Sequence, residues 1–433
     1  MNHKGMKRGT ALAITGALAL GVAFTATPAQ AAVTTITWQA DGSPSSLPNY
    51  AAEIKAFQKL NPTIKVRLVS RPSGSDGDNL VKTKLATGTM EDVFTYNSGA
   101  LLQALNPAKT LVDLTKETFQ KNVYPSFQAS VKIGKSIYGG PYSTAMGGGL
   151  YYNLADFAKV GVTPATMPKT WSDLIAVSLK LKAAGVDAFC GTFGDSWTDQ
   201  MLTLADYYNV QLADPSFAKD YVANKAKFSY NPAAFRSFQK LEDVYKNGLW
   251  NADYATAKLS DGQSRVVSGQ CAMYPMLTFS TSSIPDASAQ AVGFMNVPGT
   301  DAKKSGLTLW MPNGAYIPKT TKHLAAAKKF VAFLASKAGT DAHVSAAGYT
   351  GPFMTKDQSS APANVPLATK QFLALVKSGN TSPALEYLTP IKGPNMPSIL
   401  AQIGSGQVSA KVGAGLYDQD VVAAAQQLGL AGW

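Results

Sequence analysis

Apolar positions along this chain switch repeatedly between a period of two and a period near 3.6. Thr34-Thr35-Ile36-Thr37-Trp38 alternates as a strand does and breaks at Asp41-Gly42-Ser43-Pro44. Tyr50, Ile54 and Phe57 then recur at i, i+4 and i+7, one apolar face of a helix. Asn61-Pro62 predicts its end, with Asn61 suited to a left-handed cap. Ile64, Val66 and Leu68 alternate with Lys65 and Arg67, a half-buried strand. A helix over Leu80 to Ala86 ends at Gly88, and Val93-Phe94 opens a third strand. Strand, helix, strand, helix, strand predicts an α/β lobe with a mainly parallel sheet.

The stretch Ile137 to Leu174 predicts a strand, a Gly-rich turn and a second strand carrying Leu150-Tyr151-Tyr152-Asn153. Two helices punctuated by Gly161 and Pro168 follow. Further helices are expected over Trp171–Ala184, Asp199–Tyr208 and Pro232–Asn247, with a strand at Ala272-Met273-Tyr274. In GAYIPKTTKHLAAAKKFVAFLAS, Gly314 to Ser336, the residues Leu324, Ala327, Val331 and Leu334 form the expected inner helix face.

These segments, taken in order, resemble the extracellular solute-binding proteins of ABC importers, the sugar-binding family 1 branch. The resemblance rests on IYGGPY with LYYN and TW at Ile137–Trp171, on Leu111-Val112-Asp113-Leu114-Thr115, and on Asn296-Val297-Pro298-Gly299 with Gly314–Ser336. It covers essentially the whole chain after residue 31. It implies a two-lobed periplasmic-binding-protein fold, each lobe a mainly parallel sheet flanked by helices, with discontinuous lobes joined by a hinge. The expected first lobe is 33–141 plus 299–347 and the second 142–298 plus 348–433. The implied function is capture of a sugar or oligosaccharide for delivery to ABC permease subunits in the membrane, without catalysis, by a monomer.

Composition fits that picture and narrows it. At 433 residues, 45% apolar, the chain is long enough for two packed cores. Lys4, Lys7 and Arg8, the apolar run Ala11–Phe24 and Ala29-Gln30-Ala31 read as an export leader, residues 1–31. The formal charge of +12 falls to +9 when those three cations leave, and no basic run exceeds two residues, so no nucleic-acid partner is expected. The chain lacks the lipobox cysteine of many relatives, which implies an exported, periplasmic or extracellular protein released in soluble form. Cys190 and Cys271 are the two cysteines. An oxidising compartment favours a disulfide between them, and two buried thiols are the other reading.

Candidate chemistry is that of binding. After the leader only His323 and His343 remain, in no metal-ligand spacing, so no metal and no cofactor are expected. Ala129–Ser136 resembles a phosphate loop lacking its first glycine, which argues against nucleotide. Sugar rings offer a C–H face and a hydroxyl rim, so a site wants aromatic platforms and fixed hydrogen-bonders. Loop position or the resemblance singles out Asp41, Tyr96, Asn97, Tyr142, Trp197, Phe279, Trp310 and Tyr349 as candidate ligand contacts. Trp171 is assigned to packing. The tyrosine pairs Tyr151-Tyr152 and Tyr207-Tyr208 admit a ferric-ion or other small-solute reading, and single acids leave a secreted carbohydrate-active enzyme open.

Overall fold

A computed structural model describes residues 32–43 and 46–433; the expected leader lies outside them. The strands in chain order are β1 (Thr34–Asp41), β2 (Ile64–Arg71), β3 (Val93–Tyr96), β4 (Lys132–Ile133), β5 (Ser136–Ile137), β6 (Gly139–Tyr142) and β7 (Met146–Asn153). After them come β8 (Asp187–Phe189), β9 (Cys271–Leu277), β10 (Val292–Met295), β11 (Leu307–Trp310), β12 (Asn313–Tyr316) and β13 (Thr381–Pro383). One sheet runs β2-β1-β3-β12-β6, a second β13-β11-β7-β9-β8 with β10 also on β7.

The two-lobed α/β organisation is as expected, but the strand directions are mixed rather than mainly parallel. In the first sheet β1 pairs parallel with β2 and β3, while β12 returns from the other lobe and runs antiparallel to β3 and β6. In the second, β7 is antiparallel to β9, β10 and β11. The expected return to the first lobe at residue 299 falls later. Trp171 N–H holds the Gly299 carbonyl at 2.8 Å, and β11 still pairs with β7 and β13, so the chain leaves the second sheet only after Trp310.

Strand alternation sorts the first sheet's side chains into two layers. Ile36, Trp38 and Ala40 pack with Tyr50, Phe57, Phe330 and Val331; Phe94, Tyr96 and Tyr316 pack with Val81, Leu102 and Phe127 on the other side. Helix Leu47–Leu60 stops as foreseen, but Asn61 sits at φ −133°, outside the left-handed region, and its Nδ2 donates to the Phe57 carbonyl. Helix Leu324–Leu334 buries Ala327, Val331 and Leu334, whereas Leu324, in its first turn, is exposed.

The expected Gly-rich turn is strand. Gly147, Gly148 and Gly149 lie inside β7, where a Cβ on Gly148 would approach Trp310 Cζ3 to 2.3 Å and one on Gly149 the Met295 carbonyl to 2.2 Å. The missing side chain at Gly148 leaves room for Trp310 to lie against β7. At its end Asn153 caps helix Leu154–Lys159, accepting from the amides of Ala155 and Asp156 at 3.0 and 3.2 Å. Cys190 and Cys271 are disulfide-bonded, tying the end of β8 to the start of β9.

Candidate functional site

The chain crosses between the sheets at Ser143-Thr144-Ala145, where Ser143 holds φ 70°. Thr144 Oγ1 lies 2.9 Å from Thr350 Oγ1, linking this crossing to the Gly348–Gly351 loop. Beside it His343 Nδ1 is 2.7 Å from Glu53 Oε1 and Nε2 is 3.5 Å from Ser143 Oγ. Burial holds the Glu53 carboxyl above the usual carboxylate range, opposed by its bond to His343.

Between the lobes, over these crossings, opens a cleft of about 290 Å³. The first lobe lines it from the carboxyl ends of its parallel strands: Asp41 closes β1, Arg71 closes β2 and Asn97 follows β3. The second lobe contributes Trp197, Phe279 and Trp310, with Met201, Leu204, Leu259 and Leu277 behind them. Trp197 and Phe279 lie with ring centroids 6.2 Å apart at 36°. The first lobe's side is largely polar and charged, and the second lobe's side carries the aromatic cluster together with Gln200, Ser282, Glu386 and Lys392.

Six of the eight candidate contacts meet there: Asp41, Asn97, Tyr142, Trp197, Phe279 and Trp310. Tyr96 does not. Strand alternation turns its ring into the layer with Phe94 and Tyr316, where it is fully buried, and only its neighbour Asn97 faces the cleft. Tyr349 does not either; its ring packs 6.3 Å from Phe353 and the cleft residue of that loop is Thr350. Trp171 is core, its Nε1 donating to Asp243 at 2.8 Å.

Sequence reasoning passed over Tyr50, Arg71, Asp78, Gln200, His343, Glu386 and Lys392, all of which line the cleft. For Arg71 a signal existed, since it ends a strand as Asp41 does. Arg71 donates to the carbonyls of Pro72 and Thr95 at 3.2 and 3.1 Å, and Lys392 pairs with Glu386 at 2.7 Å. Asp41 Oδ1 accepts from the Ser43 amide at 2.9 Å and from its hydroxyl. Burial, then the neighbouring Asp41 charge, raises the Tyr50 phenol, keeping it a neutral donor. Three buried atoms on the cleft's side chains have no partner: Arg71 Nε, Trp197 Nε1 and Gln200 Oε1.

The tyrosine pairs are committed elsewhere. Tyr151 hydroxyl meets Thr281 at 2.8 Å, Tyr152 hydroxyl accepts from Gln371 at 2.8 Å, and Tyr207 donates to Gln211 at 3.1 Å. No helix among the described residues is long and apolar enough to cross a membrane.

The family profile described as bacterial extracellular solute-binding protein matches residues 41–341. An uncharacterized ABC transporter extracellular-binding protein of Pyrococcus horikoshii is 24% identical over 304 residues, 70% of this chain and 68% of that one. The sn-glycerol-3-phosphate-binding periplasmic protein of Shigella flexneri is 26% identical over 265 residues, 58% of this chain and 57% of that relative's length. Among solved structures, a chitin oligosaccharide binding protein superposes with a TM-score of 0.77 at 20% identity, over 90% of this chain and 99% of that one.

Proposed function

The chain belongs to the bacterial extracellular solute-binding protein family, and from that premise we propose that it captures a sugar or short oligosaccharide between its lobes and delivers it to the permease of an ABC importer. The observation that carries this reading is the pairing across one cleft of an aromatic wall, Trp197, Phe279 and Trp310, with hydrogen-bonders fixed at strand ends, Asp41, Arg71 and Asn97. A pyranose needs both at once, an apolar platform for its C–H face and rigid polar groups for its rim. Ligand touching both walls favours the closed arrangement, because only there are all the contacts made together. A structural neighbour named for chitin oligosaccharide binding agrees with this ligand class.

The test is a thermal-shift screen of mono-, di- and oligosaccharides followed by product analysis. Stabilisation by a saccharide that is recovered intact supports the reading. No stabilisation by any saccharide, or release of new reducing ends, overturns it.

A further inference from the structure

Within the sugar-binding reading, on which this inference rests, the cleft holds a feature that a neutral sugar leaves unanswered. Arg71 is 7% exposed, yet no carboxylate among the described residues lies within ion-pair distance of it. Its two hydrogen bonds go to backbone carbonyls, and its Nε has no partner at all. A guanidinium carries five N–H donors, and only two of them are used here, the buried Nε being among those with no partner in the protein.

The neighbouring charges do not cancel it. Lys392 is itself cationic and takes up Glu386. Asp41, the register partner of Arg71 across β1 and β2, turns its carboxylate to the Ser43 amide and hydroxyl and makes no ion pair with the guanidinium. Asp78 lies close enough to feel Arg71, but burial outweighs that attraction and pushes its carboxyl up, toward the neutral form. The pocket around the guanidinium is built rather than incidental. Gly77 packs beneath it, where a Cβ would come within 3.0 Å of Arg71 Nη1 and 2.0 Å of the Pro72 carbonyl, and the Tyr96 ring lies 6.0 Å from Cζ. A buried cation without a counter-charge is costly, and an anion supplied from outside removes the cost.

We infer that the solute is an anionic saccharide, its oxyanion held by Arg71 beside Lys392 while its ring lies on the Trp197–Phe279 wall. A hexuronate carboxylate and a sugar phosphate ester share this chemistry. The positive net charge of the chain favours approach of such a ligand.

The test is calorimetric titration of the chain lacking residues 1–31 with three sets of ligands. These are galacturonate with its di- and trisaccharides, the matched neutral galactosides, and galactose 1-phosphate with sn-glycerol 3-phosphate. An acidic ligand binding at least about tenfold more tightly than its neutral counterpart, with an advantage that shrinks in high salt, is the expected result. The carboxylate and phosphate arms decide which oxyanion it is. Arg71→Gln should erase the advantage, weakening the acidic ligands by at least about tenfold more than their neutral counterparts, and Arg71→Lys, which retains the charge, should keep part of it. Equal or tighter binding of the neutral sugars by the unmodified protein overturns the inference and leaves the sugar reading standing. Failure of every saccharide to bind overturns both.

Discussion

Gly74 in the first lobe and Trp197 in the second meet across the cleft: a Cβ built on Gly74 lies 3.3 Å from Trp197 Cδ1. Gly74 also holds φ 66°, so its missing side chain serves both the turn into its helix and the approach of the opposite lobe.

Gly74→Val therefore props the lobes apart, and saccharide affinity should fall by at least about tenfold, roughly 1.4 kcal/mol. Gly88→Val provides the control. It imposes a similar left-handed strain at φ 72°, but its Cβ meets only Thr320, away from the cleft. Calorimetry should show weakened binding for the first variant and not the second, and solution scattering should show the first remaining extended when ligand is added.

Trp197→Ala removes a platform and the inter-lobe contact together. Affinity should drop about 10- to 100-fold, with Trp197→Phe between it and the parent. Unchanged titration curves would exclude Trp197 from the site. The melting temperature without ligand should change less than the affinity, because Trp197 packs at the margin of the core.

Asp199 is buried with neither carboxyl oxygen hydrogen-bonded, and burial alone holds its pKa well above the usual carboxylate range. The unfolded chain thus loses this proton at lower pH than the folded one, so the group costs stability as pH rises from its ordinary value through the raised one. Asp199→Asn should flatten that slope and raise the melting temperature near neutral pH. Melting curves from pH 4 to 8 check it, and parallel slopes in parent and variant would contradict it.

Lys240 and Asp206 form an ion pair with each side chain 1% exposed, and the ammonium also donates to the Pro298 carbonyl at 2.7 Å. Lys240→Met alone strands a buried carboxylate and should cost about 3–5 kcal/mol. The double variant with Asp206→Asn should recover most of it. Denaturant unfolding measures both.

The Cys190–Cys271 bond spans 81 residues of sequence. Replacing both cysteines by alanine should lower stability by about 4 kcal/mol in the chain-entropy description. Thermal unfolding of that variant against the oxidised parent checks the figure.

The sequence exposed the site where function and local chemistry coincide, and hid it where facing direction decides. Trp197 is a bulky aromatic in a loop, marked by that position and by the family resemblance, and Phe279, in the short 3-10 helix after β9, is marked by the resemblance. Tyr96 and Asn97 are adjacent, and a one-residue uncertainty at a strand end reverses which faces the cleft. After β13, Glu386 lies in a single 3-10 turn and Lys392 in irregular chain, where no periodicity says what they face. Gly147–Gly149 read as a turn because glycine signals turns locally; their reasons are distant neighbours, Leu307 and Phe372 for Gly147, Trp310 for Gly148 and Met295 for Gly149, visible only in three dimensions.

Strand β12 is what joins β3 to β6 in the first sheet. A chain emerging amino-terminus first has long since produced both of those strands, yet they stay unjoined until Tyr316 is out. The second sheet waits longer still, for β13 and the helix Ala410–Gln427 that closes its core. Neither half can finish early, so a partly made chain stays open and threadable, and a carboxyl-terminal truncation before residue 313 should ruin both halves rather than one.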